Sequence, residues 1–269
     1  MGRRLCVGDI HGTYSKLTDV LDRCNFSSSD TLYCVGDLCD RGKENLKTLN
    51  FLMSLNNFHP VIGNHDIWLA EYLSYKMTET ALHVWAYYNG GMNTFVEFLD
   101  MSDEEKLKIY NWLKNIPYMI NLKDKIIMHT PTPKKIFDRL KSRYRLEEIT
   151  LANIKESRLL QDEIYDDQLW SRKVIACSKY INDKQKYKKI FEKQFNKNTP
   201  TIFCGHTPLF DPVYDENMNV CLIDTGSFAT KEKNERDGHL TIIDIDTFDY
   251  WQNGNKKKQN LLDDMKYRK

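Results

Sequence analysis

The 269-residue chain is 41% hydrophobic and 29% charged, a globular composition that excludes a wholly disordered or collagen-like protein. Lys and Arg number 39 against 38 Asp and Glu. The net charge of +1 gives no electrostatic footprint for nucleic acid or for a membrane surface. No apolar run approaches the roughly 20 residues that span a bilayer. The opening MGRRLCVGDI lacks an apolar h-region, so no signal peptide is expected, and Cys6 stands where a myristoylation signal wants Ser or Thr. None of the seven cysteines is in C-x-x-C spacing. Cys6, Cys34, Cys204 and Cys221 lie inside apolar runs and are expected as buried thiols of a reducing, cytoplasmic compartment.

Short apolar runs alternate with helical patterns from the start. Residues 3–7 read as a strand. Residues 13–24 read as a helix with Tyr14, Leu17, Val20, Leu21 and Cys24 on one stripe. A strand over 31–35, a helix over 43–55, a strand over 58–62 and a helical start over 67–75 follow. This alternation implies βαβ units and a partly parallel sheet. Ser102 and Glu105 form a capping-box pattern before Leu107, Tyr110 and Leu113. Two strands, 118–122 and 125–128, flank a Lys-Asp turn. Residues 131–195 read as mostly helical and charged, with Tyr187, Ile190, Phe191 and Phe195 on one stripe. Strands return over 201–204, 220–223, 240–245 and 248–251. The basic, polar tail, 253–269, is expected to fray or to form a marginal helix, outside a single domain over 1–252.

Five apolar runs end in polar clusters: LCVGDIHG with Asp9 and His11, LYCVGDLCDRG with Asp37, Asp40 and Arg41, PVIGNHD with Asn64, His65 and Asp66, KIIMHT with His129, and TIFCGHTP with His206. If each run is a strand, each cluster lies beyond its carboxyl end, where open α/β sheets bind ligands. Four clusters begin with Gly, which allows a sharp exit from the sheet and close approach by another group. Carboxylates, imidazoles and a side-chain amide suit Mn, Fe or Zn better than Mg or Ca. Two such ions roughly 3.5–4 Å apart polarise a bridging water and hold phosphate oxygens for in-line attack. Asp37, with two oxygens, can bridge them, and Asn64, His129 and His206 can complete a second site. His65 points differently from its neighbour Asn64. Asp40 can bond the far nitrogen of its ring and hold it protonated for a leaving alkoxide. Arg41 can grip phosphate with its planar fork. Any one Gly-Asp or lone His is an ordinary turn or structural residue, and His59, His83 and His239 are read as structural. Five clusters in this order are not ordinary.

Together these motifs resemble the calcineurin-like metallophosphoesterases, and most of all the bacterial and phage phosphoprotein phosphatases. WAYYNGGMNT, residues 85–94, also looks like a segment of these smaller enzymes, and looser likeness extends to Asp246. The resemblance implies an α/β fold of two mixed sheets packed as a sandwich and flanked by helices. It implies two divalent ions, Mn before Fe or Zn. Asp9, His11 and Asp37 would hold one ion, and Asp37, Asn64, His129 and His206 the other. His65 with Asp40 would be the catalytic proton-donor pair, and Arg41 would bind phosphate. Arg172, in LWSR, is similar to a second phosphate-binding arginine, with Leu169 and Trp170 as its anchors in the core. The expected reaction is phosphate-monoester hydrolysis, first of phosphoserine and phosphothreonine proteins. Three features depart from the protein-phosphatase pattern. Ile62 precedes Gly63, Asp66 follows His65, and Thr130-Pro131 follows His129. GNHD is more like dinucleoside tetraphosphatases and end-healing polynucleotide phosphatases, which makes a nucleotide-directed hydrolase the alternative. Lys134, Lys135, Arg139, Lys141, Arg143 and Arg145 are either contacts for a longer phosphorylated ligand or solvated charge. A metal-binding scaffold without catalysis is the non-enzyme alternative, and such scaffolds typically lose a ligand that this chain keeps.

Overall fold

The structure is a computed structural model that describes residues 2–269, apart from 133, 158–159, 161–163, 165–168, 173–198, 233, 235–236, 255–257 and 267–269. Strands β1 (Arg4–Val7), β2 (Thr31–Cys34) and β3 (Phe58–Pro60) run parallel, with Leu5 opposite Leu32 and Cys34 opposite Pro60. They alternate with helices α1 (Tyr14–Arg23), α2 (Asn45–Ser54) and α3 (Asn64–Leu73). A helical excursion follows: α4 (Glu79–His83), a π-helical turn (Val84–Tyr88), α5 (Met92–Phe98) and α6 (Asp103–Leu113). The capping box expected at Ser102 is present, with Ser102 Oγ accepting from the Glu105 amide.

The second sheet begins with the antiparallel pair β4 (Met119–Asn121) and β5 (Lys125–Met128), joined by the expected turn at Lys123 and Asp124. Helices α7 (Lys134–Lys141) and α8 (Leu151–Glu156) lie in the charged middle region. The helix expected around Tyr187, Ile190, Phe191 and Phe195 lies outside the described residues. Strands β6 (Thr201–Cys204), β7 (Val213–Asp215) and β8 (Val220–Leu222) complete this sheet, and β9 (Thr241–Asp244), β10 (Asp249–Gln252) and β11 (Gln259–Asn260) complete the first. The strand orders are β11-β10-β9-β1-β2-β3 and β4-β5-β6-β8-β7. The result is the expected architecture of two mixed sheets with flanking helices. Each sheet holds a parallel trio, β1-β2-β3 at one edge of the first and β5-β6-β8 at the centre of the second.

Side chains alternate by strand period between two cores. Cys6, Tyr33, Ile127, Phe203 and Cys221 enter the layer between the sheets. Their neighbours Leu5, Val7, Leu32, Cys34, Ile126, Met128, Ile202, Cys204, Val220 and Leu222 face the outer core shared with the helices. Burial on both faces explains why these strands read as continuous apolar runs. Cys6, Cys34, Cys204 and Cys221 are fully buried free thiols. No described helix is long and apolar enough to cross a membrane.

The tail forms the short helix expected as one of its two states, and adds an edge strand before it. Residues 259–260 pair with β10 as an edge strand, and α9 (Leu261–Lys266) follows. Polar sequence hides one anchor: Leu261 is 2% exposed, packs in the layer between the sheets and donates its amide to Phe248 O at 2.9 Å. Tyr250 donates its hydroxyl to Asp264 at 2.8 Å. Leu261→Ala is expected to lower stability by about 2–5 kcal/mol in denaturant unfolding, the usual cost of emptying a buried leucine site. A change within ±0.5 kcal/mol would mean that the tail does not dock.

Candidate metal centre

The carboxyl ends of β1, β2, β3, β5 and β6 converge, and all five predicted clusters meet there. Asp9, His11, Asp37, Asp40, Asn64, His65 and His129 are at most 1% exposed, and His206 is 5% exposed. Reaching this point requires strained backbone. His11, Asp37, Asp40, Arg41 and His206 have left-handed φ values of 47°, 53°, 72°, 64° and 73°. Such conformations cost of order 1–3 kcal/mol each and persist only where the surroundings impose them. Here the loops are cross-tied: Ile10 N and His11 N both donate to Asp37 O, Gly12 N donates to Leu38 O and Gly42 N to His11 O. Gly63 and Gly205 permit the close approach. A Cβ on Gly63 would lie 2.2 Å from Asp37 Oδ1, and one on Gly205 would lie 1.9 Å from Asp9 Oδ1.

Each imidazole is oriented by a bond on its far side. His11 Nδ1 lies 2.9 Å from Cys39 O, and His129 Nδ1 lies 2.8 Å from Val35 O. A carbonyl can only accept, so both Nδ1 atoms carry hydrogen and both Nε2 atoms present a lone pair to the cleft. His129 Nε2 and His206 Nδ1 each approach Asn64 Oδ1 at 3.0 Å, and they stand 3.2 Å from each other. His129 Nε2 and His11 Nε2 lie 3.6 Å from opposite oxygens of Asp37. Among the described residues, two groups could hold a metal ion, Asp37 with His129 and His206, and Asp37 with His11 and His65, their ligand atoms within 4.8 Å of one another.

The chemistry of these donors fits cations. Asp9 Oδ1, Asn64 Nδ2 and His206 Nε2 are buried without a hydrogen-bond partner. Burial, then Asp224 and Asp37, push the Asp9 carboxyl well above its usual range. Burial pushes His206 down to about 3 and also lowers His11 and His129, so the three rings are neutral and fit to ligate at pH 7. Burial opposes ionisation of Asp37, but positive charge around it, that of Arg41 included, holds that carboxyl low. A pair of buried acids beside neutral imidazoles is an arrangement that positive ions relieve.

His65 Nδ1 meets Asp40 Oδ2 at 2.7 Å, both side chains fully buried. Two further donors saturate this carboxylate: Trp85 Nε1 donates to Oδ2 at 2.6 Å and Thr94 Oγ1 to Oδ1 at 2.6 Å. Trp85 and Thr94 close the two ends of WAYYNGGMNT, so this segment serves to hold Asp40. Arg41 is set by Gly90 O, which accepts its amide at 2.8 Å. Its guanidinium donates to His11 Nε2 at 2.8 Å and His65 Nε2 at 3.0 Å, and lies 4.6 Å from the Phe228 ring centroid.

Sequence reasoning named Asp66 only as a neighbour, and it missed Trp85, Thr94, Asp224 and Phe228 as site residues. Asp66 accepts three buried amides, from Asp37, Leu38 and Gly63, at 2.8–2.9 Å, tying β2's loop to the start of α3. Asp224 follows β8, the sixth strand of the two parallel trios. It is 1% exposed, and burial raises its carboxyl to about 6. The signal was available, since CLIDTG repeats the pattern of an apolar run ending in Asp before a Gly. Leu169 is fully buried and Trp170 packs on Trp68 at 4.7 Å, His206 at 6.3 Å and His65 at 6.4 Å. The segment is therefore anchored against the centre. Arg172 is exposed, and its charge acts on His206 and Asp224. The ion pair with Asp166 or Asp167 that competes with a phosphate role lies outside the described residues. Arg139, Lys141, Arg143 and Arg145 are exposed.

A model of the calcineurin-like phosphoesterase family matches residues 2–243, and the chain belongs to that family. Among its relatives, a symmetrical bis(5'-nucleosyl)-tetraphosphatase of Aromatoleum aromaticum is 33% identical over 115 residues, 42% of this chain and 38% of that protein. Serine/threonine-protein phosphatase 2 of Salmonella typhimurium is 35% identical over 137 residues, 49% of this chain and 60% of that protein. The matches thus span about two fifths and three fifths of these relatives' lengths. In fold, the chain is similar to the cold-active protein-tyrosine phosphatase of a psychrophilic Shewanella, with a TM-score of 0.61 at 16% identity over 97% of this chain and 80% of that one. A candidate diadenosine tetraphosphatase superposes over 95% of both chains, with a TM-score of 0.56 at 16% identity.

Asp66→Asn replaces one acceptor oxygen by a donor facing a buried amide. It is expected to cost about 1–3 kcal/mol of stability. Divalent-ion affinity in calorimetric titration should fall with it, because the loop that carries Asp37 loses its tie. An unchanged denaturation midpoint with unchanged ion affinity would defeat this account of Asp66.

Proposed function

We propose that the chain is a cytoplasmic dimetal phosphoesterase whose substrates are nucleotides, dinucleoside polyphosphates first. The observation that carries the reaction class is the convergence of Asp9, His11, Asp37, Asn64, His129 and His206 from five strand ends, with buried donor atoms left unpaired. The substrate class rests on the relatives. Six tetraphosphatases match at 33–36% identity, which favours the nucleotide alternative over the phosphoprotein reading expected from GDLCDRG and LWSR. The Salmonella relative keeps a phosphoserine or phosphothreonine protein as the second reading.

In this reading Asp9, His11 and Asp37 hold one divalent ion, and Asp37, Asn64, His129 and His206 the other. The mixed oxygen and nitrogen donors favour Mn, with Fe or Zn as alternatives. Two ions there would activate water and polarise phosphate oxygens at neutral pH. His65 offers its Nε2 edge to the leaving oxygen, and Asp40, fixed by Trp85 and Thr94, orients the ring. Arg41 and Arg172 bind non-bridging phosphate oxygens, with the Phe228 face steadying Arg41.

The substrate reading is tested by assaying a dinucleoside tetraphosphate, a phosphoserine peptide and a 3′-phosphorylated oligonucleotide side by side with Mn. The tetraphosphate is expected to lead in kcat/KM. A hundredfold preference for the peptide, about 2.7 kcal/mol, would reverse the order.

His65 tests the division of labour, because its ring also lies within ligand distance of His11 and Asp37. His65→Asn should keep both ions bound and slow turnover by roughly 10²–10⁴, less for aryl phosphates whose leaving groups need no proton. Loss of an ion, measured by elemental analysis, would make His65 a ligand instead. Arg172→Ala should lower kcat/KM by roughly 10- to 100-fold, in line with about 1.5–3 kcal/mol for a charge-assisted hydrogen bond. Lysine at 172 should restore only part of this, lacking the planar fork. Unchanged kcat and KM in Arg172→Ala would leave Arg172 a surface residue.

A further inference from the structure

Asp224 belongs to neither ligand set and to no phosphate grip, yet it is built into the centre. It is 1% exposed and follows β8 much as Asp9 follows β1. The two strand ends touch. A Cβ on Gly8 would lie 2.3 Å from Ile223 O and 3.5 Å from Asp224 Cα. Ser227 Oγ lies 2.8 Å from Asp9 O and 3.0 Å from Ile10 O, which ties the turn after β8 to the loop that carries Asp9 and His11. The charges that act on Asp224 are those of the centre, Arg41, Asp37 and Arg172. Asp224 in turn acts on Asp9 more strongly than Asp37 does.

Local structure accounts for only one of its oxygens. Oδ1 accepts the Gly226 amide at 2.9 Å and closes the turn. A serine or asparagine could do as much without a charge. Oδ2 is buried with no hydrogen-bond partner among the described residues, as are Asp9 Oδ1 and His206 Nε2. A buried carboxylate oxygen left unpaired is costly, and two such acids side by side repel each other. A cation relieves both costs.

Charge balance selects which cation. The ion at Asp37, Asn64, His129 and His206 would draw on more protein groups than the ion at Asp9, His11 and Asp37, and Asp37 is divided between the two. The ion at Asp9 and His11 also has a guanidinium beside it, with Arg41 Nη1 2.8 Å from His11 Nε2. A divalent ion there needs negative charge beyond Asp9 and its share of Asp37.

We infer that Asp224 is a further anionic member of the divalent-cation site at Asp9, His11 and Asp37, supplying the negative charge that Arg41 offsets and Asp37 shares away. The inference rests on the two-ion reading above and adds a residue to it. It also sets binding against stability. Without an ion Asp224 and Asp9 repel each other, and with one both are drawn to it.

The test titrates the full chain, freed of metal by chelator, with Mn in calorimetry, and follows its thermal denaturation with and without Mn. Wild type is compared with Asp224→Asn and Asp224→Ser, which keep an acceptor for the Gly226 amide and remove the charge. Each variant should weaken one of the two Mn sites by roughly 10–100-fold, the usual effect of a group that supports metal ligands, and leave the other within about threefold. The metal-free midpoint should hold or rise, because a buried repulsion is gone, and its gain on adding Mn should shrink. Equal Mn affinities in wild type and both variants would overturn the inference. So would a lowered metal-free midpoint with both Mn sites weakened alike, the mark of a residue that only shapes its turn. Wild type that takes up no Mn would defeat the two-ion reading and the inference with it, whereas two ions held equally well by wild type and variants would defeat the role of Asp224 alone.

Discussion

The structure turns on one electrostatic constraint: Asp37 is a carboxylate almost wholly removed from water, and the fold must compensate it from every side. Burial of an unpaired ion costs several kcal/mol. Among the described groups the compensation comes from Arg41 and from the His65 amide, which donates to Asp37 Oδ1 at 3.0 Å. Each of these groups reaches Asp37 only because a parallel strand ends there. The sandwich, its left-handed loop residues and the glycines that let loops touch are all ways of delivering compensating groups to one buried acid.

That acid has a second buried acid near it. Asp9 accepts the His206 amide at 2.9 Å through one oxygen and leaves the other unpaired, while Asp224 adds further negative charge. An interior shaped for stability alone would not gather three carboxylates around neutral rings. The cost is accepted where binding or chemistry needs it, and here it coincides with the strained backbone of His11, Asp37, Asp40, Arg41 and His206.

Much of this was legible in the sequence because the central strands are buried on both faces. An apolar run followed at once by Gly and a charged residue marks both the strand and its carboxyl end, which made the strands β1, β2 and β3 and all five clusters readable. What was not legible came from residues whose partners are remote in sequence. Trp85 and Thr94 reach Asp40 across 45 and 54 positions, and nothing local distinguishes that tryptophan from any other core residue. Asp66 looked like a variant motif letter, and only the geometry shows its three amides. β7 and β11, of three and two residues, carry too few positions for a period to register. Leu261 was hidden by a polar surround that gave no hint of its burial.

The centre sits on a seam. Asp9, His11, Asp37 and Asn64 come from the six-stranded sheet and its loops, while His129 and His206 come from the five-stranded one. The gap across the seam is therefore gauged by the filling between the sheets, where Cys6, Tyr33 and Val61 meet Ile127, Phe203 and Cys221. The sandwich behaves as a caliper whose jaws are strand ends and whose spacer is a layer of side chains. One methylene added to or removed from that spacer, far from any reacting atom, resets the opening of the jaws.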